Sequence, residues 1–255
     1  MNKITFLGTG PSGGVPTLLR GYGYCDPKNF KNTRTRSGLL LKLDHYTLLV
    51  DASSDIRTQL LSQNTPQIDA LFLTHAHSDH MAGLDDLRFT YYQRDHTALP
   101  VFMDRETKKD VIKRFDYAFE TQNERYPAYL TVQEINEDII EIFPTHPIDI
   151  LNLPHGDMMS RGFRYKNMAY CPDCHDVLYA EKEKLKNLDV LIIDCLRYNP
   201  HPTHMHVDSV MALFEELSPK KMILTHLGPE LDYEKLKKEL PKGMEPAYDG
   251  LKINF

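Results

Sequence analysis

The sequence predicts an α/β fold, and three observations carry the prediction. Short apolar runs such as Ala70-Leu71-Phe72-Leu73 and Val190–Asp194 read as buried strands. Stretches with apolar residues every three or four positions, such as 208–217 with Val210, Leu213, Phe214 and Leu217, read as amphipathic helices. The two kinds alternate along the chain, the pattern of α/β domains. No repeat, low-complexity tract or linker divides the 255 residues, so 1–255 is expected to form one domain.

Residues 4–7 form the first expected strand, which runs into Gly8-Thr9-Gly10-Pro11-Ser12-Gly13-Gly14. Gly8, Gly10 and Gly13 match the dinucleotide pattern GxGxxG, but that motif needs a helix opening at the glycines. Val15-Pro16-Thr17 and Gly21-Tyr22-Gly23 give loop instead, so the glycines are assigned to close backbone approach. Residues 20–36 read as a polar loop ending in Arg34-Thr35-Arg36; its arginines are expected on a solvated face, with phosphate contact as the alternative. Strands at 37–43 and Tyr46–Val50 follow, and the second ends in Asp51. Asp51 is expected to orient a metal-ligating histidine or to cap the helix Ile56–Ser62.

Beyond the strand at residue 70, a helix beginning near Met81 is expected to carry Asp85, Asp86 and Arg88. A strand at 100–103 and a helix at 106–115 come next. Residues 116–135 are aromatic and polar (Tyr117, Phe119, Tyr126, Tyr129), which suits either a cap over a site or core packing. Further strands are expected at Ile139–Phe143, 148–153, 166–171, Val190–Asp194, 222–224 and 251–255, with a helix at 233–240.

Hydrophobic residues make up 41% and charged residues 26%, with a formal net charge of −6. That acidity counts against a long nucleic-acid partner, which usually meets a basic surface. No apolar run approaches the ~20 residues that a membrane span needs, so no membrane partner is expected. Met1–Leu7 enter a strand directly, without the apolar core of a signal peptide, and a cytoplasmic location is expected. Cys25, Cys171, Cys174 and Cys195 then read as thiols.

The chemistry concentrates after the strand at residue 70, in Thr74-His75-Ala76-His77-Ser78-Asp79-His80. Imidazole and carboxylate are ligands for zinc, manganese and iron. In an extended segment His75 and His77 point the same way and can grip one ion. A helical turn at Ser78 would swing Asp79 and His80 toward a second. His155, Asp173 and His226 each stand just past an apolar run, where a loop can reach a site at a sheet edge. Cys171-Pro172-Asp173-Cys174-His175 matches the CxxCH haem pattern, but that reading needs an export signal. His204 lies in His201-Pro202-Thr203-His204-Met205-His206, just before the helix at 208–217, and can serve as a proton donor or a further ligand.

His75-x-His77-x-Asp79-His80 resembles the signature of the metallo-β-lactamase superfamily. That resemblance implies an αββα four-layer sandwich with two divalent metal ions, Zn²⁺ or Mn²⁺, at one edge. It implies that His75, His77 and His155 hold one ion, that Asp79, His80 and His226 hold the other, and that Asp173 bridges. Gly8-Thr9-Gly10, Gly14-Val15-Pro16, Gly83-Leu84, Thr203-His204, Leu224-Thr225-His226 and Tyr248-Asp249-Gly250 extend the likeness to the PhnP type over nearly the whole chain. The PhnP type is a cyclic-phosphate phosphodiesterase and commonly a homodimer. Its cysteine-built structural zinc is not expected here, because Cys25 stands alone.

The expected partner is therefore a small phosphodiester, cyclic or linear, attacked by a hydroxide held between the metals. Asp79 would ligate a metal and steer the hydroxide, and His204 would contact phosphate and protonate the leaving oxygen. Three other readings stay open, and one, a thioester or lactam hydrolase, is permitted by the motif alone. A second is an endonuclease of the tRNA 3′-processing type, which carries an arm for tRNA. The third is a non-catalytic small-molecule carrier of the PqqB type.

Overall fold

The computed structural model describes residues 2–255. β1 (Lys3–Gly8) leads into the glycine loop, and β2 (Gly38–Leu43) and β3 (Tyr46–Val50) form a hairpin. α1 (Ile56–Ser62) returns the chain to β4 (Ala70–Phe72). α2 (Ser78–Met81), a 3-10 turn (Leu84–Leu87) and α3 (Arg88–Gln93) precede β5 (Leu99–Met103), and α4 (Arg105–Phe119) precedes β6 (Leu130–Glu134). β7 (Ile139–Phe143), β8 (His146–His155), β9 (Met158–Tyr165) and β10 (Met168–Cys171) form an antiparallel meander. α5 (Tyr179–Lys184), β11 (Val190–Asp194), α6 (Val207–Leu217), β12 (Lys221–Thr225), α7 (Tyr233–Glu239) and β13 (Met244–Pro246) follow in alternation. β14 (Lys252–Asn254) crosses back to pair with β1.

Two mixed sheets result, ordered β14-β1-β2-β3-β4-β5-β6 and β13-β12-β11-β10-β9-β8-β7. Period-two alternation decides how they stack. Phe6, Leu39, Leu41, Leu48, Val50 and Phe72 of the first sheet meet Ile150, Phe163, Tyr170 and Ile192 of the second in a central core. The intervening residues Leu40, Leu49 and Leu71 face α1 and α4 through Ile56, Leu60 and Val111. On the far side Leu191, Ile193 and Leu224 face α6 and α7 through Val210, Leu213 and Leu236. The architecture is the αββα sandwich of the α/β class. No helix among the described residues is long and apolar enough to cross a membrane.

Several boundaries differ from expectation for identifiable reasons. The helix expected from Met81 onward is broken at Gly83, whose N–H donates to the Ala52 carbonyl at 2.8 Å. A Cβ there would stand 2.0 Å from the Ser53 carbonyl oxygen, so only glycine lets this turn pack on the end of β3. α4 runs past 115 through a non-helical Phe115. The 116–135 stretch divides: Phe119 and Tyr129 pack with the core beneath α4, while Tyr117 and Tyr126 stay exposed. β6, β9, β13 and α5 had no clear local pattern; β9 is a strand because β8 and β10 pair with it on both sides.

The loop from residue 9 to 37 is tied down by buried polar contacts. Arg34 is 2% exposed, and neither of its expected placements holds. Its guanidinium donates to the carbonyls of Leu227, Gly228 and Leu231 and to Asn32 Oδ1, over 2.7–3.2 Å. Arg36 pairs with Asp55 at 3.0 Å. Asp249 Oδ1 accepts from Thr9 Oγ1, and its Oδ2 accepts from the Thr35 N–H and Oγ1, at 2.7–2.8 Å.

Burial pushes the Asp249 carboxyl up to about 6, against these donors, which favour its ionised form. The folded state therefore holds this proton more tightly than the unfolded chain does, and the stability gained from it fades as pH rises from about 4 to about 6. Asp249→Asn should remove that dependence. In urea unfolding, wild type should lose stability relative to Asp249→Asn across this window; parallel pH profiles would contradict the assignment.

Candidate metal centre

The site forms where strands of both sheets end. β4 delivers His75 and His77, α2 delivers Asp79 and His80, β8 ends in His155, β10 leads to Asp173 and β12 leads to His226. Strands that end in unison leave their following residues at one edge, which is where α/β sheets usually place ligands.

Two groups of donors converge there, each with its ligand atoms within 4.8 Å of one another: His75, His77, His155 and Asp173, then Asp79, His80, Asp173 and His226. In the first, His75 Nε2 and His155 Nε2 lie 3.0 and 3.2 Å from His77 Nδ1. In the second, His80 Nε2 lies 3.3 Å from Asp79 Oδ2 and 3.3 Å from Asp173 Oδ2. Asp173 Oδ2 is also 3.8 Å from His75 Nε2 and 3.9 Å from His155 Nε2, so one carboxylate stands between both groups. Asp173 Oδ1 approaches His226 Nδ1 at 3.1 Å. His175 and Asp176, beside Asp173, are exposed and belong to neither group.

Neighbouring groups fix the rings. The His80 Nδ1–H donates to Asp51 Oδ2 at 2.7 Å, and the His155 Nδ1–H donates to the Thr203 carbonyl at 2.7 Å. Thr74 gives its hydroxyl proton to Asp51 Oδ2 and can accept from His75 Nδ1 at 2.9 Å. These bonds assign the tautomers and turn the three Nε2 lone pairs inward. His226 Nδ1 lies 3.2 Å from Ser37 Oγ, which also donates to the Gly10 carbonyl. The glycine loop therefore braces the site.

A cation fits this donor set. His80 Nε2 is buried and has no hydrogen-bond partner. Asp51, Asp79 and Asp173 converge on His80, and their ion-pair partners among the described residues are histidines alone. Burial drives the His75 imidazolium well below its usual range, as it also lowers His77 and His155, so these rings are neutral donors. Burial opposes charge on His80 too, but Asp173, Asp51 and Asp79 outweigh it and raise its pKa well above normal. Where cations are bound they take the place of that proton.

His204 stands beside the second group, its ring stacked on His226 at 4.7 Å. Its Nδ1 donates to Asp194 Oδ2 at 2.8 Å. Burial lowers its pKa, but Asp194, with Asp173 and Asp79, raises it on balance. His201 lies 5.1 Å from His204, and His206 caps α6; neither joins the donor groups. Sequence reasoning missed Asp194. The signal was available, since Val190–Asp194 ends in aspartate as Tyr46–Val50 does one residue on, at Asp51. The CxxCH thiols Cys171 and Cys174 are buried, and burial pushes both up, so neither offers a ready thiolate.

A family profile described as a β-lactamase superfamily domain matches residues 46–227. A crystal structure of a diphosphatase from the PhnP family superposes with a TM-score of 0.90 at 31% identity, covering 100% of this chain and 97% of that one. The chain belongs to the β-lactamase superfamily and to its PhnP family. An octanoyltransferase of Porphyromonas gingivalis is 30% identical over 254 residues, 98% of this chain and 51% of that protein. A ribonuclease Z of Nanoarchaeum equitans is 27% identical over 145 residues, 56% of this chain and 42% of that protein. The PhnP-family chain thus spans about half the length of these two curated relatives.

Asp51→Asn keeps the oxygen that accepts from the Thr74 N–H but replaces the one that accepts from the Thr74 hydroxyl and from His80. Removing such an orienting partner typically costs about 10–100-fold in metal affinity. Calorimetric titration with Zn²⁺ or Mn²⁺ should find two ions on the wild type and weakening of one in Asp51→Asn. Asp173→Ala should weaken both. Unchanged affinity for both ions in Asp173→Ala would remove it from the bridging position.

Proposed function

We propose that the chain is a single-domain, metal-dependent phosphodiesterase acting on a small phosphodiester, cyclic or linear, with two Zn²⁺ or Mn²⁺ ions. The observation that carries the reading is Asp173, shared by two convergent donor groups beside the Asp194–His204 pair. When bound, two divalent cations would polarise a phosphoryl oxygen and activate water at neutral pH. The chain's own residues do the rest. Asp51 and the Thr203 carbonyl hold His80 and His155 in register. Asp194 holds Nδ1 of His204, keeps the ring charged at higher pH and leaves Nε2 to protonate the leaving alkoxide. We place the protein in the cytoplasm and propose a homodimer. Hydrolysis of bis(p-nitrophenyl) phosphate, cyclic nucleotides and cyclic ribose phosphates by metal-loaded protein tests the activity.

The ribonuclease Z relatives support a second reading, RNA 3′-end cleavage. Against it, the sequence has no long Gly- and Lys-rich insertion and its formal net charge is −6. Cleavage of a precursor tRNA without turnover of small diesters would favour it. Hydrolysis of an octanoyl thioester alone would instead point to acyl chemistry, as the Porphyromonas relative's name suggests.

His204→Ala should retain both metals and lose about 10²–10⁴-fold in rate on a diester with an alkyl leaving group. The loss should shrink with p-nitrophenolate, which leaves without a proton. Equal losses on both substrates would rule out proton donation by His204.

A further inference from the structure

We propose that a cavity between α3 and residues 117–127 binds the base of a nucleotide, so that the diester's substrate class is nucleoside-bearing; this rests on the phosphodiesterase reading. The cavity holds about 300 Å³, at the small end of ligand sites. Arg88, Tyr91 and Tyr92 share one face of α3 by their three- and four-residue spacing, and Tyr117, Arg125 and Tyr126 close the opposite side. Tyr92 is 64% exposed and Tyr126 is 59% exposed, so two of the rings that line the cavity stand in water.

The polar groups around the cavity are arranged for an anion. The hydroxyls of Tyr117 and Tyr129 both donate to Asp85 Oδ1, at 2.7 and 3.1 Å, which fixes the rings and occupies that carboxylate. The Arg88 guanidinium lies 5.2 Å over the Tyr129 ring. Among the described residues, the arginines that form ion pairs are Arg20, Arg36, Arg94 and Arg161, leaving Arg88 and Arg125 without a carboxylate. No acidic side chain lines the cavity. Tyrosine faces accept any base by stacking, and unpaired guanidinium groups bind phosphate. A cavity of this volume takes one base rather than a strand.

Its position fits a substrate that reaches the metal centre. Arg114 Nη1 donates to Ser78 Oγ at 3.5 Å, and Ser78 separates His77 from Asp79. Tyr117 follows three residues later on α4, past the non-helical Phe115. α4 thus carries both the contact with the metal motif and one wall of the cavity.

Calorimetry of the full chain, with and without metal, with AMP and ribose 5-phosphate as probes is the test. AMP should bind more tightly than ribose 5-phosphate. Tyr92→Ala and Tyr126→Ala should each weaken AMP about ten-fold or more, the size of one lost stacking contact, and leave ribose 5-phosphate unaffected. Arg125→Ala should weaken both probes. With 2′,3′-cyclic AMP, kcat/KM should fall in the tyrosine variants, while a base-free cyclic ribose phosphate should be turned over as by wild type. Equal binding of AMP and ribose 5-phosphate, or unchanged AMP affinity in Tyr92→Ala/Tyr126→Ala, overturns the proposal. So does an RNA oligonucleotide that depends on these residues where AMP does not bind. AMP binding is read without turnover, so its presence in a protein that hydrolyses no diester sustains the cavity and removes only the hydrolase reading.

Discussion

One buried carboxylate, Asp51, holds the site together. It sits at the end of β3 with φ +61°, a left-handed conformation that turns the chain sharply out of the sheet. Its two oxygens accept the Thr74 N–H, the Thr74 hydroxyl and the His80 Nδ1–H. Three segments meet at one side chain: the end of β3, the turn after β4, and the first turn of α2. The backbone repeats the connection, since Ala52 N–H donates to the His80 carbonyl and Gly83 N–H to the Ala52 carbonyl. Asp51 touches His80 directly and reaches His75 only through Thr74, so a change at Asp51 falls first on the second donor group.

The same carboxylate sets the site's electrostatics. Asp51, Asp79 and Asp173 are packed within contact of His80, where desolvation makes each negative charge costly. Burial raises the Asp51 carboxyl, while the His80 imidazole offsets part of that cost. A lysine or arginine would neutralise the cluster permanently and fill it. Histidines leave lone pairs pointing inward instead, so the charge is left to be balanced by something the site binds. Metal affinity and the instability of the empty cluster are two aspects of one arrangement.

How much of this could be read from the sequence depends on where each residue's partners lie. The seven donors were legible because each follows an apolar strand run by a few residues, and strands that end together put such residues at one edge. The layering followed from the likeness of the His75–His80 motif to a known superfamily; β2, β3, β4 and β11 are apolar on both faces because each lies between two cores, so their sequences show burial and not which face meets which layer. The bracing contacts were not legible. Ser37 meets His226 across 189 residues and Thr203 meets His155 across 48, and neither residue has a distinctive local context. Arg34 misled for the same reason: in a polar loop it reads as solvated, and only the 227–231 carbonyls, some 193–197 residues away, enclose it.

Arg34 also shows how this chain secures a loop that lacks a cluster of cysteines. The carbonyls of Leu227 and Gly228 directly follow His226, and that of Leu231 closes the same turn. His226 itself has φ +59°, strained for a residue with a side chain, and persists only where surrounding contacts hold it. One guanidinium gathers the turn's carbonyls, and Ser37 at the end of the same loop reaches the His226 ring. The long loop of residues 9–37 is therefore a brace for the second donor group. Burial lowers the Arg34 pKa, yet the group remains cationic at neutral pH because an arginine starts so high. Its hydrogen bonds thus persist across the whole range in which the histidines titrate, and protons or cations can exchange at the site while the brace stays in place.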